Sequence, residues 1–310
     1  MATQAAPKQI PIVCPGHSRP LAEVIYSPPT PDGVFLISGC HAKTPMIRRG
    51  DTGDWIGTFQ GHKGAVWGVA LDDTAQLAAT ASADFSARLW DAITGDMIHE
   101  FPHKHIVKSV EFSKDRSTLA SVGHEGIVRL FDVAKPETDP ETIVLSETKT
   151  AGQKVLIHVR WGKDPNTLLA GSADGAIRVY DSRSKEKVQE IKVDGGVMDL
   201  EVSRSLDIVT VAAGSSVSFF DARTYQLLKC HKMPINFKEE GGASLHPSGD
   251  RFIAGGSDLW VRTFSYETGE EMECLKGHHG PVRCMRYHPN GKHYATGSED
   301  GTIRLWASGL

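Results

Sequence analysis

Short runs of alternating apolar and polar residues recur along the whole chain, and turn-forming residues separate them roughly every 8–12 positions. Such alternation predicts half-buried β-strands. Asp174-Gly175 and Asp300-Gly301 lie between two such runs, where Gly reaches a positive φ without steric cost and favours a hairpin. No segment of ten or more residues has a convincing helical period. The pattern therefore predicts an all-β fold.

The runs are organised in a repeat that ends at an aromatic or bulky residue. The segment Gly297 to Trp306 is the clearest copy, and Ala81 to Trp90 and Gly171 to Tyr180 share its frame. Weaker copies end at Phe131, Phe220, Phe264 and Arg48, so that successive end points are 42, 41, 49, 40, 44 and 42 residues apart. Seven units of this length predict one seven-bladed β-propeller spanning residues 1–310. We assign the blades approximately to 16–60, 61–101, 102–145, 146–191, 192–230, 231–276, and 277–310 with 9–14.

The first and last of these assignments together predict how the ring closes. The seventh repeat stops shortly after Trp306, before an outer strand, whereas the apolar run Gln9 to Val13 precedes the first blade. We expect Ile10 to Val13 of this N-terminal strand to pair beside the strand ending at Trp306, which leaves no open seam.

Gly-His pairs followed by Trp-Asp pairs give the repeat a recognisable form. Gly61-His62 is followed by Trp90-Asp91, and Gly16-His17 and Gly277-His278 supply two further Gly-His pairs. These motifs resemble the WD-repeat family, and seven copies in register make the resemblance specific. It implies a β-propeller that binds other macromolecules on its loop-bearing faces.

Serine, histidine and aspartate recur together at fixed positions of two repeats, and these are the residue types of a catalytic triad. A triad has no reason to occur twice in register. The resemblance to WD repeats implies instead a buried hydrogen-bond network in which Asp orients His, His bonds Ser, and Ser reaches the Trp N–H. The two sets are His62, Ser82, Asp84 and Trp90, and His278, Ser298, Asp300 and Trp306.

Other signs of chemistry are weak. His103 and His105, with His99 nearby, suggest a metal site, but His103 aligns with the repeat histidine and no cysteine or carboxylate joins them at ligand spacing. No phosphate-binding glycine loop and no hydrolase motif occurs. We therefore expect no enzyme, no cofactor and no metal.

The channel rim is a better candidate site. In WD propellers, the residue after the apolar anchor of each innermost strand borders the top of the central channel. Here these residues are Ala22, Trp67, Lys108, Ile157, Met198, Gly241 and Arg283. Trp67 is of a type enriched at interface hot spots, so we predict that it contacts a partner, with a basic group around it formed by Lys63, Lys104, Lys108 and Arg283. The alternative is that Trp67 packs within the channel and the cations are only solvated.

One irregular segment accounts for the 49-residue spacing. It is rich in proline and acidic residues around Pro136 to Pro140, and we place it as a loop of blade four, 133–150. Such a loop is either a second partner site or simply an unconstrained connection.

Composition sets few further limits. The formal charge of −4 favours neither nucleic acid nor an anionic membrane in bulk, and no apolar run is long enough to span a bilayer. Five scattered cysteines without C-x-x-C spacing indicate reduced thiols. We expect a cytoplasmic and nuclear protein.

A longer stretch carries a closer resemblance. Residues 50–68, the segment around Asp84 to Ala87, and His103 to Lys108 are similar to the serine–threonine kinase receptor-associated protein family. This resemblance implies a scaffold of the survival-of-motor-neurons complex, which assembles spliceosomal small nuclear ribonucleoproteins and so serves mRNA splicing. The implied partners are Gemin-type subunits and a cold-shock-domain RNA-binding protein, with RNA contact indirect or weak. Family members carry a tail after the last blade, whereas this sequence ends at Leu310, so the partner contacts are expected to differ if the tail takes part.

Two alternatives stay open. The i-type subunit of eukaryotic translation initiation factor three shares part of the motif Thr52 to Trp67, although Asp54-Trp55-Ile56 and His103 to Lys108 favour the receptor-associated family. A propeller that binds RNA directly is the other, and it would show a steep salt dependence.

Overall fold

The computed structural model describes residues 9–144, 155–237 and 241–309. Within these ranges all regular structure is β-strand, as predicted. Six sheets have four strands each and one has three. Innermost strands of successive sheets contact one another in a closed cycle, which defines the seven-bladed propeller.

The blades follow one another along the chain, and each runs from an innermost to an outermost strand. Blade one contains β2 (Leu21–Tyr26), β3 (Phe35–Cys40), β4 (Met46–Arg49) and β5 (Trp55–Thr58). Blade two contains β6 (Val66–Leu71), β7 (Leu77–Ser82), β8 (Ser86–Asp91) and β9 (Met97–Pro102). Blade three contains β10 (Val107–Phe112), β11 (Thr118–Gly123), β12 (Ile127–Asp132) and β13 (Glu141–Val144). Blade four contains β14 (Leu156–Trp161), β15 (Thr167–Ser172), β16 (Ala176–Asp181) and β17 (Lys187–Lys192).

The remaining blades include the irregular one and the closing one. Blade five contains β18 (Val197–Val202), β19 (Ile208–Asp221) and β20 (Leu227–Phe237). Blade six contains β21 (Gly242–Leu245), β22 (Arg251–Gly255), β23 (Trp260–Ser265) and β24 (Glu271–Lys276). Blade seven contains β25 (Val282–Tyr287), β26 (His293–Ser298), β27 (Ile303–Ala307) and the N-terminal β1 (Ile12–Cys14).

The ring closes as the sequence predicts. Strand β1 pairs antiparallel with β27, with Ile12 opposite Leu305 and Cys14 opposite Ile303. The pairing begins two residues later than expected, because Ile10 lies outside the strand and is 90% exposed. Cys14 is buried in the same cluster as Leu305, so the closing strand also contributes to the core.

Two features differ from the regular pattern. In blade five, β19 is a single 14-residue strand that pairs with β18 through its first half and with β20 through its second half. Gly214, with φ of +57°, lies at the change of partner. The proline- and acid-rich segment 133–140 connects β12 to β13, so it belongs to blade three and not, as predicted, to blade four. Residues 145–150 of that predicted loop lie outside the described residues.

The core lies between neighbouring blades. Trp90 of blade two, for example, packs in one cluster with Ile37 and Ile47 of blade one and with Phe59 of the connection between these blades. Small residues allow the close approach: a Cβ on Gly68 would lie 2.7 Å from the Lys108 carbonyl oxygen of the next blade. Alternation along each strand therefore buries both faces of a blade against its two neighbours.

Side chains from one blade satisfy the backbone of the next around the channel. The channel-facing edge of an innermost strand has no partner strand, and its buried N–H groups need acceptors. Carboxylates and hydroxyls supply them, at donor–acceptor distances of 2.5 to 3.3 Å. The acceptor–donor pairs are Glu23 with Val69, Ser109 with Val159, Glu111 with Trp161, Asp199 with Ala243, Glu201 with Leu245 and Ser244 with Tyr287.

Two arginines cross the channel between these acceptors. Arg160 of blade four donates to Glu23 of blade one at 2.6 Å and to the Leu200 carbonyl of blade five at 2.9 Å. Arg286 of blade seven makes two hydrogen bonds, of 2.7 and 2.6 Å, to the Asp199 carboxylate of blade five. The channel is therefore filled below its mouth by ion pairs that join non-adjacent blades.

Removing residues 1–14 is expected to lower the free energy of unfolding sharply, because it deletes β1, exposes the edge of β27 and empties the site of Cys14. Urea denaturation followed by fluorescence measures this. A deletion of residues 1–8 alone, which leaves β1 intact, is the matched control. Equal stability of the 1–14 deletion and the full chain would contradict closure by the N-terminal strand.

Candidate interaction site at the channel mouth

The predicted rim residues occupy one structural position. In six innermost strands, the pairing register shifts at the residue after the apolar anchor, for example between Val66 and Gly68 in blade two. A bulge of this kind re-aims the side chain of the extra residue. At each such position the side chain faces the mouth of the channel. The six residues are Ala22, Trp67, Lys108, Ile157, Met198 and Arg283.

These six residues, together with Gly241, line one cavity of about 320 Å³. The sequence prediction that all seven border the channel mouth is thus confirmed. His124 and His158 also line the cavity, and the repeat alignment did not identify either of them. The cavity therefore combines an apolar wall formed by Ile157 and Met198 with a basic and aromatic wall from blades two, three and seven.

Trp67 and Lys108 form the centre of the basic and aromatic wall. The Lys108 ammonium lies 3.2 Å from the centroid of the Trp67 ring, which is a cation–π contact. Burial, together with the charge of Arg283, lowers the pKa of Lys108 to about 8. Within the described residues Lys108 makes no ion pair or hydrogen bond, so it is a half-buried cation without an anion.

Nearby polar atoms are also unsatisfied. Among the described residues, the buried Trp67 indole nitrogen has no hydrogen-bond partner, and the same is true of one ring nitrogen each in His41 and His158. The His41 ring packs on Trp67 with ring centroids 4.5 Å apart. Buried polar groups normally have partners, so this concentration of orphaned atoms indicates a place for a polar ligand.

The other predicted cations behave differently. Arg283 forms an ion pair with Glu299 at 2.5 Å. Lys63 and Lys104 lie in the connections that lead into β6 and β10, where their side chains are exposed and do not line the cavity. Of the four cations predicted around Trp67, only Lys108 and Arg283 line the cavity. Partner contact by any of these residues stays a prediction.

An exposed aromatic row, missed by sequence reasoning, lies on the same face. Phe85 is 45% exposed and has φ of +68° at the hairpin position where Gly175 and Gly301 stand in other blades. Its ring lies 5.4 Å from that of His105, which stacks on His124 at 5.0 Å. A bulky residue at a strained position that favours glycine suggests a functional reason for its presence. The departure of Phe85 from the Asp-Gly pattern was the signal that could have identified it.

The histidine networks are present, but the structure corrects their hydroxyl. Asp84 accepts from His62 Nδ1 at 2.8 Å, as predicted. Thr80, not Ser82, lies 2.6 Å from His62 Nε2 and accepts from the Trp90 indole at 2.9 Å. Ser82 instead accepts the backbone N–H of Asp84 at 3.1 Å. The reason is the position along the strand: Thr80 and Ser82 point to the same face of β7, but Thr80 lies nearer to Trp90, which pairs with Ala78, whereas Ser82 ends the strand at the hairpin.

Blade seven repeats the same geometry. His278 contacts Asp300 at 3.1 Å and Thr296 at 2.7 Å, and the Trp306 indole donates to Thr296 at 2.8 Å. Ser298 is again displaced from the chain of hydrogen bonds, since it donates to the Gly280 carbonyl. Burial lowers the pKa of His278 to about 4, which keeps this ring neutral at physiological pH.

Neither network has the arrangement of a hydrolase site. Each threonine hydroxyl is buried and already held by both the histidine and the tryptophan. His103 is similarly engaged, with its two ring nitrogens bonded to the Phe101 carbonyl and the Ser121 hydroxyl.

In the described part of the chain, no helix is long and apolar enough to cross a membrane.

Thr80→Val is expected to lower the free energy of unfolding by about 1–3 kcal/mol, because it strands the His62 nitrogen and the Trp90 N–H in the core. Asp84→Ala is expected to cost a similar amount, since it releases His62. Ser82→Ala is the matched control and should cost less. Equilibrium urea denaturation compares the three variants. A Ser82→Ala cost that equals or exceeds that of Thr80→Val would contradict the corrected network.

Comparison with known proteins agrees with this geometry. The family model of the WD domain, G-beta repeat, matches residues 53–91, 95–132, 148–181 and 269–307. The chain is a WD-repeat propeller.

Its relatives define a narrower family. Serine-threonine kinase receptor-associated protein of Gallus gallus is 42% identical over 301 residues, which cover 97% of this chain and 83% of the relative. The Dictyostelium discoideum protein of the same name is 41% identical over 297 residues, covering 96% and 98%. Eukaryotic translation initiation factor 3 subunit I of Pyricularia oryzae is 31% identical over 328 residues, covering 95% and 92%. The chain belongs to the serine-threonine kinase receptor-associated protein family, as predicted.

Proposed function

We propose that this protein is a non-catalytic scaffold whose channel mouth binds an acidic and hydrophobic segment of a protein partner. The observation that carries the proposal is the half-buried Lys108 ammonium, which lies on the Trp67 ring and contacts no anion among the described residues. A carboxylate entering the cavity satisfies both Lys108 and the orphaned Trp67 indole N–H. An adjacent apolar side chain packs against Ile157 and Met198 on the opposite wall.

The proposed cellular role follows the family. We place the protein in the cytoplasm and nucleus, as a subunit of the survival-of-motor-neurons complex that assists the assembly of spliceosomal small nuclear ribonucleoproteins. Its proposed partners are Gemin-type subunits and a cold-shock-domain RNA-binding protein. The propeller fold, the family membership and the structural use of both histidine networks support a scaffold over an enzyme.

Affinity purification of the tagged protein identifies the complex. We expect Gemin and Sm proteins to co-purify in stoichiometric amounts at moderate salt. Recovery of a set of initiation-factor subunits instead would contradict the proposed complex and support the related i-subunit role.

Trp67→Ala is expected to weaken binding of the main protein partner by at least about 2 kcal/mol, since it removes the ring that holds Lys108 and forms the cavity wall. Lys108→Met should weaken binding less, and its effect should shrink at high salt. Lys104→Ala, an exposed lysine outside the cavity, is the matched control. Titrations with each folded variant measure the dissociation constants. Normal binding by folded Trp67→Ala would place the contact elsewhere, with segment 136–140 of blade three as the next candidate.

Single-stranded RNA is a second candidate ligand, favoured by the exposed row of Phe85, His105 and His124 beside Lys104. Bases stack on such aromatic side chains, and phosphate contacts make the binding steeply dependent on salt. In the same titrations, an RNA ligand would be recognised by that dependence and by its loss in Phe85→Gly. The substitution leaves the hairpin intact, because glycine prefers the positive φ at this position.

A further inference from the structure

A cluster of two histidines and one carboxylate lies on the face opposite the channel mouth, at the seam between blades one and seven. Asp51 follows β4 in blade one, and His288 and His293 flank the turn between β25 and β26 in blade seven. Both connections lie at the end of the blades remote from the bulges that line the cavity. The cluster therefore bridges the two blades between which the ring closes.

The three ligand atoms are close together. The Nε2 atom of His288 lies 3.2 Å from Asp51 Oδ1, and the Nε2 atom of His293 lies 3.3 Å from the same oxygen. All three ligand atoms lie within 4.8 Å of one another. A tetrahedral zinc ion with bonds of about 2.0–2.2 Å places adjacent ligand atoms roughly 3.3–3.6 Å apart. The two separations from Asp51 already approach this value. A small movement of His293 brings the third, between the two histidine Nε2 atoms, to the same value.

A second observation is that His288 is unsatisfied where it faces this cluster. Its side chain is only 2% exposed, and its buried Nε2 atom has no hydrogen-bond partner in the described ranges despite its approach to Asp51. His293 does bond the same carboxylate oxygen, so two ring nitrogens compete for one acceptor. A cation between the three atoms satisfies all of them at once.

We propose that Asp51, His288 and His293 form a binding site for a divalent transition-metal ion of the zinc type, with its fourth position open to water. Two imidazoles and one carboxylate are a ligand set that suits zinc better than calcium or magnesium. Asp51 is 55% exposed and His293 is 26% exposed, so an ion reaches the site directly from solvent.

The local hydrogen bonds set the strength of the site. The Asn290 N–H donates to His288 Nδ1 at 3.2 Å, so the proton of the neutral ring is on Nε2 in the metal-free protein. Metal binding at Nε2 requires the proton to be on Nδ1 instead, and the hydrogen bond from the Asn290 N–H is then lost. We therefore expect weaker binding than in a preorganised structural zinc site, whose histidines already donate to an acceptor.

Isothermal titration of ZnCl2 into chelator-treated protein tests the proposal, with Co²⁺ absorption as a report on tetrahedral coordination. A Cys230→Ser background removes the exposed thiol as a competing ligand. We expect one ion per chain, and a melting temperature that rises with zinc because the ion joins blade one to blade seven.

Variants of the cluster give the decisive comparison. His293→Ala and Asp51→Asn, both at accessible positions, are each expected to weaken zinc binding at least tenfold, because loss of a residue that only supports a ligand already costs about 10–100-fold. They should also abolish the shift in melting temperature. His279→Ala, an exposed histidine outside the cluster, is the matched control and should bind normally. Two results would overturn the proposal and leave the cluster as an ion pair only. One is the absence of a stoichiometric ion; the other is a zinc affinity of His293→Ala and Asp51→Asn equal to that of the unsubstituted protein.

Discussion

Seven innermost strands face a narrow channel, and none of them has a neighbouring strand on its channel-facing edge to accept its N–H groups. An unpaired buried N–H costs about as much as a lost hydrogen bond. The protein meets this constraint with acceptors that reach from one blade to the next, such as Glu111 to Trp161 and Glu23 to Val69. These side chains join consecutive blades, so the ring depends on them in addition to its apolar contacts.

Using carboxylates as acceptors places several negative charges close together inside the channel, where they need cations. Glu23, Glu111, Asp199 and Glu201 face the channel, whereas Arg160 and Arg286 supply the cations that contact them. Burial raises the pKa of Glu111 to about 7, although the charge of Arg160 opposes this shift. The arginines are committed to ion pairs below the mouth, and Lys108 above them has no such partner. The same channel thus has a self-satisfied lower part and an unsatisfied mouth, which is the part open to a partner.

The sequence was sufficient for features set by local periodicity. Strand alternation, the Asp-Gly hairpins and the spacing of the repeats predicted seven blades, the closing strand and the ring of rim residues around Trp67. The sequence could not identify a hydrogen-bond partner where two residues of the same chemistry lie close to the donor. Ser82 and Thr80 both carry hydroxyls near Trp90, and only the strand geometry decides that Thr80 bonds the indole.

Contacts between residues of different blades could not be predicted from the sequence either. Asp51 and His293 are separated by 242 residues, and their approach depends on how blade seven meets blade one. Phe85 was visible in the sequence as a departure from glycine, but its stacking with His105 and His124 depends on the packing of blades two and three. The orphaned polar atoms at the channel mouth are likewise a property of the assembled ring, because residues from several blades enclose them.

The dependence of the ring on acceptors between blades is tested most directly at Glu111, which accepts the Trp161 N–H at 2.5 Å. Amide hydrogen exchange compares Glu111→Met, which removes the acceptor, with Glu111→Gln, which keeps an acceptor oxygen. The account predicts that the Met variant exchanges the Trp161 amide about tenfold faster, equivalent to roughly 1.4 kcal/mol. The Gln variant should stay close to wild type, and the Val69 amide, held by Glu23, should be unchanged in both. Unaltered protection of Trp161 in the Met variant, or equal loss in both variants, would contradict the account.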